Sequence, residues 1–443
     1  MNKTSRWPNF LLVLAFATDL MTPFLIWKGI LPGSFRWLSQ AAIVVMLILI
    51  PLRMVIFKRI PVGFWVVVVV SCVGILTASL NGQGISATIW GWWLMFQFPL
   101  VGIFAYLQPN WPDHFAERIL NVLLAAVGLQ VLVQIGQYLT GEIPGDNLAG
   151  TFGQNGTGDL VLFLILVLCF ALGYWLLTQR WIKLIIMLML GIVSSILGEM
   201  KLFYLAIVVL GLMVMLIMPI IGRSFWKFIP VILLLGGAVV SFVPLYDAIV
   251  PSAKELPLEE YYTNPLLLTK YLTFKNQTGV SGSSYYYDIG RNYALVYGWN
   301  KINKNFEDLS LGYGIGARTE SKSLGIVGRG LETGELGITS GTSILVFIQE
   351  LGLFGIITFC CFILVTIIIL FIQIRKKPIL VSNYLRIGMI LFTFLWPVWL
   401  WYNAAWTLRL PMLVYWSLLG FVMSDFDRNK QTGLSEMKAM AAG

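Results

Sequence analysis

The chain reads as an all-α integral membrane protein of about twelve transmembrane helices. One large extracytoplasmic loop lies between spans nine and ten, and both termini are cytoplasmic. Three observations predict this. Residues are 58% hydrophobic and 12% charged, whereas a soluble domain carries about a quarter charged residues. Apolar runs of about 20 residues, the length that crosses a bilayer as a helix, recur along most of the chain. The Lys and Arg residues between those runs favour alternate turns.

The runs are 10–27, 37–57, 61–80, 88–107, 117–139, 158–178, 181–198, 202–221, 228–246, 342–372, 383–401 and 405–424. The first follows a basic start (Lys3, Arg6), lacks a small-residue cleavage site and contains Asp19, so it reads as a retained span rather than a removed signal peptide. The tenth is long enough to tilt or to project from the bilayer. With the N-terminus in the cytoplasm, the short loops and tails on that side carry 16 Lys+Arg against 3 on the other. This positive-inside asymmetry sets the orientation. It divides the chain into helices one to nine (1–246), the outer loop (247–341), helices ten to twelve (342–424) and a cytoplasmic tail (425–443). The net charge of +9 is thereby explained by topology, and does not point to nucleic acid.

The loop carries 9 of the 30 Lys+Arg and 10 of the 21 Asp+Glu. Pro251, Pro257 and Pro265 break its start, and a Gly/Ser turn at 279–284 divides it. Tyr285–Asn303 has helix-compatible spacing, and a glycine-rich stretch runs from Gly312 to Gly341. Short helices on the membrane surface are the expected form.

Cys72, Cys169, Cys360 and Cys361 all fall in apolar runs, so no disulfide framework or Cys/His metal spacing exists. The only histidine, His114, has the spacing of a solvated loop residue. Neither a metal nor a cofactor is expected. Ionisable residues at membrane depth are costly and mark sites. Glu199 and Lys201 occupy a turn between spans seven and eight too short to be a solvated loop. They read either as charges that snorkel to the interface or as part of a site beneath the large loop. Asp159 and Arg409, at outer span ends, are placed to face the same cavity as Lys201. Asp19 and Glu350 fit pairing with neighbouring helices. Trp396, Trp399, Trp401 and Trp406 read most simply as an aromatic belt.

Three stretches together resemble the O-antigen ligase and polysaccharide polymerase superfamily of bacterial membrane enzymes. Ala149-Gly150-Thr151-Phe152-Gly153-Gln154-Asn155 is similar to the G-T-F-G-N-P-N signature, without the proline. Gly290-Arg291-Asn292-Tyr293, then Trp299, then Leu311-Gly312-Tyr313-Gly314-Ile315-Gly316 resembles the arginine, short helix and G-x-G-x-G turn of the family. Gly341-Thr342 followed by Gly352-Leu353-Phe354-Gly355 resembles H-N-x9-G-x-x-G, with Gly341 at the position of the ligase histidine. Lys201 falls where many members carry arginine. The resemblance covers about 145–360, and each motif alone is common; their order and topology carry it.

The resemblance implies a polymerase that joins undecaprenyl-diphosphate-linked oligosaccharide repeats into O-antigen, capsular or exopolysaccharide chains at the outer face of the bacterial inner membrane. A chain-length regulator and a flippase are the protein partners it suggests. The missing histidine weighs against the ligase or oligosaccharide transferase alternative; a lipid-linked glycan flippase is the second alternative. Glycosyl transfer from a lipid diphosphate needs cations at the leaving group. Arginine binds phosphate oxygens in pairs, so Arg291 is the first candidate, then Lys201, with Arg318 and Arg329 behind. The base for the acceptor hydroxyl stays open among Glu199, Asp288, Glu320, Glu332 and Glu335. Tyr285 and Tyr286 fit a glycan groove or a membrane anchor.

Overall fold

Backbone inside hydrocarbon must satisfy its own hydrogen bonds, and the apolar runs do so as helices. The computed structural model describes residues 6–108, 111–112, 114–220, 222, 226, 229–251, 257–281, 284–321, 323–333, 342–376 and 382–424. Gly341, Glu335 and the 425–443 tail lie outside them, as do the side chains of Tyr285, Tyr286 and Asp288.

The long helices are α1 (Arg6–Trp27), α2 (Trp37–Phe57), α3 (Val62–Leu80), α4 (Ile85–Tyr106), α5 (Phe115–Leu139), α6 (Thr157–Thr178), α7 (Ile182–Leu197), α8 (Lys201–Ile220) and α9 (Ile229–Ile249). The polar segment follows as α10 (Leu258–Thr263), α11 (Pro265–Thr273), a hairpin of β1 (Lys275–Ser281) and β2 (Ser284–Ile289), α12 (Arg291–Ile302), α13 (Phe306–Leu311), a small hairpin of β3 (Glu320–Ser321) and β4 (Ile326–Val327), and α14 (Arg329–Glu332). The chain ends with α15 (Ser343–Lys376), α16 (Asn383–Phe394), α17 (Trp396–Tyr402) and α18 (Arg409–Ser424). Among the described residues, nine helices are long and apolar enough to cross a membrane. The pair α16–α17 passes the same test together but bends by 46°, and α7 and α18 are apolar but shorter. This is a helical multi-pass membrane protein.

Contacts sort the helix ends into two sets, so successive helices run up and down. At one end Lys28 pairs with Glu142 (3.3 Å), the Leu197 carbonyl accepts from Gly145, and the Asn403 carbonyl accepts from Ser343. At the other, the Tyr384 hydroxyl donates to the Ala116 carbonyl, and Arg386 donates to Gln373, Ser382, Asn383 and the Val422 carbonyl. Helix α6 is the central post: Leu160 to Gly173 are buried without a break, as expected of a helix apolar all round. Gly173 and Gly388 let α6 and α16 approach closely.

The polar segment is keyed into this bundle by its G-x-G-x-G turn. Gly312, Gly314 and Gly316 all have positive φ. The amides of Tyr313 and Gly314 donate to the Gln349 and Glu350 carbonyls, and that of Ile315 to the Gly74 carbonyl. The turn therefore wedges between α3 and α15. Helix α15 opens to receive it: Gly352 (φ 59°, ψ −151°) breaks the helical geometry, and its amide lies 2.7 Å from where a Cβ on Gly312 would stand.

Two expectations are corrected. Tyr285–Asn303 is not one helix: residues 284–289 pair as a strand with β1, and the helix starts only at Arg291, after the extended Gly290. A run of tyrosines suits a strand better than a helix. Trp396 and Trp399 are not an interfacial belt. Both are buried in an aromatic cluster with Phe359, Phe392, Trp406 and Tyr415.

Candidate functional site

A cavity of about 480 Å³ opens at the end of the bundle that carries the polar segment, within the usual size of ligand pockets, about 300–1,000 Å³. Its wall is assembled from five places: the 145–155 loop, the start of α6, the α7–α8 turn, the first residue of α12 and the α17 end with Leu408.

The loop is positioned by α5. Gln130, Gln134 and Gln137, spaced i, i+4, i+7, share one face of that helix and are buried. Gln130 accepts from the Thr151 amide and hydroxyl (2.7 and 2.9 Å). Gln134 donates to the Leu148 carbonyl and accepts from the Ser194 hydroxyl. Gln137 exchanges hydrogen bonds with both Gly150 backbone groups. The Gly150-Thr151-Phe152-Gly153 motif is thus the clamped part of the loop. Its neighbours Asp146 and Asn155 line the cavity, where Asp146 accepts from the Thr157 hydroxyl at 2.5 Å.

The α7–α8 turn consists of Gly198, Glu199 and Met200. Glu199 has φ 50° and Asn155 has φ 58°. Among the described residues, the other non-glycine positive φ values are at Lys58, His114 and Gln179, which are helix caps. Glu199 is a cap as well, its amide donating to the Ile196 carbonyl and that of Met200 to the Ser195 carbonyl to close the end of α7; the left-handed Asn155 lies just before α6. Lys201 is half-buried on the first residue of α8, within Coulombic range of Glu199. A cation there opposes the positive end of the helix dipole, so helix formation alone does not favour it.

Arg291 opens α12. Its Nε donates to the Tyr402 carbonyl at 3.0 Å, and its guanidinium lies 4.2 Å from the Tyr402 ring centre. The next residue, Asn292, accepts from Trp401 Nε1 (3.0 Å), which fixes the helix start against α17. Asp159, in the first turn of α6, lines the cavity and accepts the Arg409 backbone amide at 3.1 Å. Three helix N-termini, those of α6, α8 and α12, therefore meet at one cavity with Lys201 and Arg291. Each N-terminus is an electropositive end with orphan N–H groups, and the assembly suits a multiply charged anion. Three carboxylates, Asp146, Asp159 and Glu199, share the wall.

Of the residues singled out in the sequence, Arg291, Lys201, Glu199 and Asp159 converge here. Arg409 stands behind the wall: its Nη1 donates to the Arg36 carbonyl (3.3 Å), and both Asp19 and Asp159 lie in its field. Arg318 and Arg329 are not part of the cavity. Arg318 is buried by the glycine wedge, where its amide donates to Glu350 (3.0 Å) and its guanidinium to Gln349 (2.7 Å). Burial pushes it below its ordinary value, to about 10, with Glu350 and Tyr297 opposing. Arg329 donates to the Asn81 carbonyl (2.9 Å) and takes Gln83 on its amide, tying α14 to the α3–α4 turn. His114 is exposed and contacts Glu117. Asp146, Thr157, Tyr402 and Asn403 were not singled out by sequence, and Asn155 only as the end of the 149–155 motif. Among the described residues no cluster of His, Cys, Asp and Glu is arranged for a metal.

The chain was compared with family models and with curated proteins, and neither comparison finds a match.

Proposed function

We propose that the protein is a polysaccharide polymerase of the bacterial inner membrane, joining lipid-diphosphate-linked oligosaccharide repeats at the outer face. One observation carries the reading: two cationic side chains and three helix N-termini meet three carboxylates in a single cavity beneath the polar segment. A diphosphate needs the first set. An acceptor hydroxyl needs a base from the second. The orientation rests on the excess of Lys and Arg at the opposite end, which places both termini in the cytoplasm.

In this scheme Arg291 and Lys201 hold the donor diphosphate. The bond between the anomeric carbon and the phosphate oxygen breaks, and its electron pair leaves with the lipid diphosphate. The acceptor hydroxyl oxygen bonds to that carbon, and its proton passes to one of Glu199, Asp159 and Asp146. Stabilising the departing charge is the main catalytic work, and loss of one such contact costs about 100- to 1,000-fold in rate. The test is Arg291→Ala and, separately, Lys201→Ala, each at normal expression. Chain extension surviving both changes would remove the diphosphate role.

One observation favours a second reading, transport of a lipid-linked glycan. Transporters use broken spans, and α16–α17 is bent by 46°. The break is walled by Phe392, Trp396 and Tyr415, which offers no charged path, so glycosyl transfer is preferred.

A further inference from the structure

A second concavity, of about 240 Å³, lies along α12 and is lined by Tyr293, Val296, Tyr297, Asn300, Lys301 and Lys304. We propose that this flank of α12 is a binding site for an acidic glycan, a chain whose sugars carry carboxylate or phosphate groups; the proposal rests on the polymerase reading and names its substrate class.

At 100° per residue, Ala294, Gly298 and Ile302 form the face packed on the bundle, and all three are buried. Trp299, 43% exposed, marks one flank. Tyr293, Tyr297, Asn300, Lys301 and Lys304 fall on the opposite flank. Tyr293 and Tyr297 stack at 6.2 Å and 29°, presenting a continuous aromatic surface. Lys301 Nζ stands 5.4 Å from the Tyr297 ring centre, and Lys275 Nζ 5.8 Å from that of Tyr293. No carboxylate lines the concavity among the described residues. Aromatic faces pack against the C–H face of a sugar ring, an amide such as Asn300 bonds its hydroxyls, and the lysines supply point charges for anionic substituents. A bilayer headgroup shares the anionic chemistry, and the vesicle arm of the test below separates the two sources. The same helix starts with Arg291 in the reaction cavity, and at 1.5 Å per residue the site extends from about 3 Å (Tyr293) to about 15–20 Å (Lys301, Lys304) along the helix from it.

The test uses the full chain in neutral phosphatidylcholine nanodiscs without any lipid-linked donor. The probes are an oligogalacturonate and, as its neutral counterpart, maltotetraose. The expected result is binding of the acidic oligomer only, weakened about 3- to 10-fold by Lys301→Gln with Lys304→Gln, weakened by Tyr297→Ala, and weakened by added salt. Lys301→Arg with Lys304→Arg retains it, which separates lost charge from a disturbed fold. Equal binding of both oligomers, or binding unchanged in the glutamine variant, overturns the proposal. So does a glutamine variant that loses phosphatidylglycerol vesicles and keeps the glycan. Because no donor is present, this binding does not depend on turnover: binding here, with no ladder in a separate assay supplied with the lipid-linked repeat, fails the polymerase reading alone and sustains this one.

Discussion

Gly312→Ala tests how the polar segment is held. Gly312 has φ +69°, and a Cβ there would stand 2.7 Å from the Gln349 carbonyl oxygen, 2.7 Å from the Gly352 amide and 2.8 Å from the Glu350 carbonyl carbon. All three are backbone atoms of α15, so no side chain can turn aside. The left-handed conformation costs an L-residue about 1–2 kcal/mol, and overpacking a close contact costs about 1–3 kcal/mol more. The wedge should lose about 2–5 kcal/mol, enough to release its hold on the kinked start of α15. The assay is thermal unfolding in detergent followed by tryptophan fluorescence, beside Gly128→Ala, whose added Cβ meets nothing within 4 Å. Gly312→Ala should melt well below the parent, with Gly128→Ala close to it. Equal melting of the two variants would refute the wedge.

Arg291→Lys keeps charge but loses the planar fork; chain extension in nanodiscs should fall by at least about tenfold, with the melting temperature near that of the parent. Gln134→Leu leaves the Leu148 carbonyl and the Ser194 hydroxyl without this partner, at about 1–3 kcal/mol for a buried group. It should lower both melting temperature and activity, because the 145–155 loop shapes the cavity. Orientation is checked in intact cells with a membrane-impermeant maleimide on a cysteine-free background. Gly84→Cys should label from outside, and Lys58→Cys only after permeabilisation.

The helices were legible because bilayer thickness sets a length that no soluble helix pattern matches. Each of the twelve apolar runs corresponds to a helix or, for 383–401, to a bent pair. The bend itself carries no local signature: the aromatic packing around Trp396 that accompanies it is a tertiary matter. Of the charges read at span ends, Glu199, Lys201 and Asp159 are costly where they stand and line the cavity, while Arg409, expected to face it too, stands behind its wall. The arginines read less well. Arg291, ranked first on its motif, opens into the cavity, whereas Arg318 and Arg329, ranked behind it for the same role, are buried under the glycine wedge and tie two turns together, respectively. Spacing does not tell whether a guanidinium lines a cavity, and a carbonyl partner does not either, since Arg291 donates to Tyr402 and Arg329 to Asn81. The glutamine row of α5 was readable and was missed. Gln130, Gln134 and Gln137 share a helical face in an apolar run, where an unpaired amide is expensive. Buried Arg386 was likewise passed over, although an arginine inside a span demands partners, which it finds in Gln373, Ser382 and Asn383.

The central claim is that one cavity catalyses transfer between two copies of the same lipid-linked repeat. The measurement adds only the lipid-diphosphate-linked repeat unit to purified protein in nanodiscs and resolves the products by size. A ladder at multiples of one repeat, abolished by Arg291→Ala, is the predicted result, since donor and acceptor are then the same molecule. No ladder from the repeat alone, with transfer only to an added lipid A core or protein acceptor, would contradict it in favour of a ligase. No covalent product under either condition, with the lipid-linked glycan crossing the bilayer of proteoliposomes, would contradict it in favour of transport.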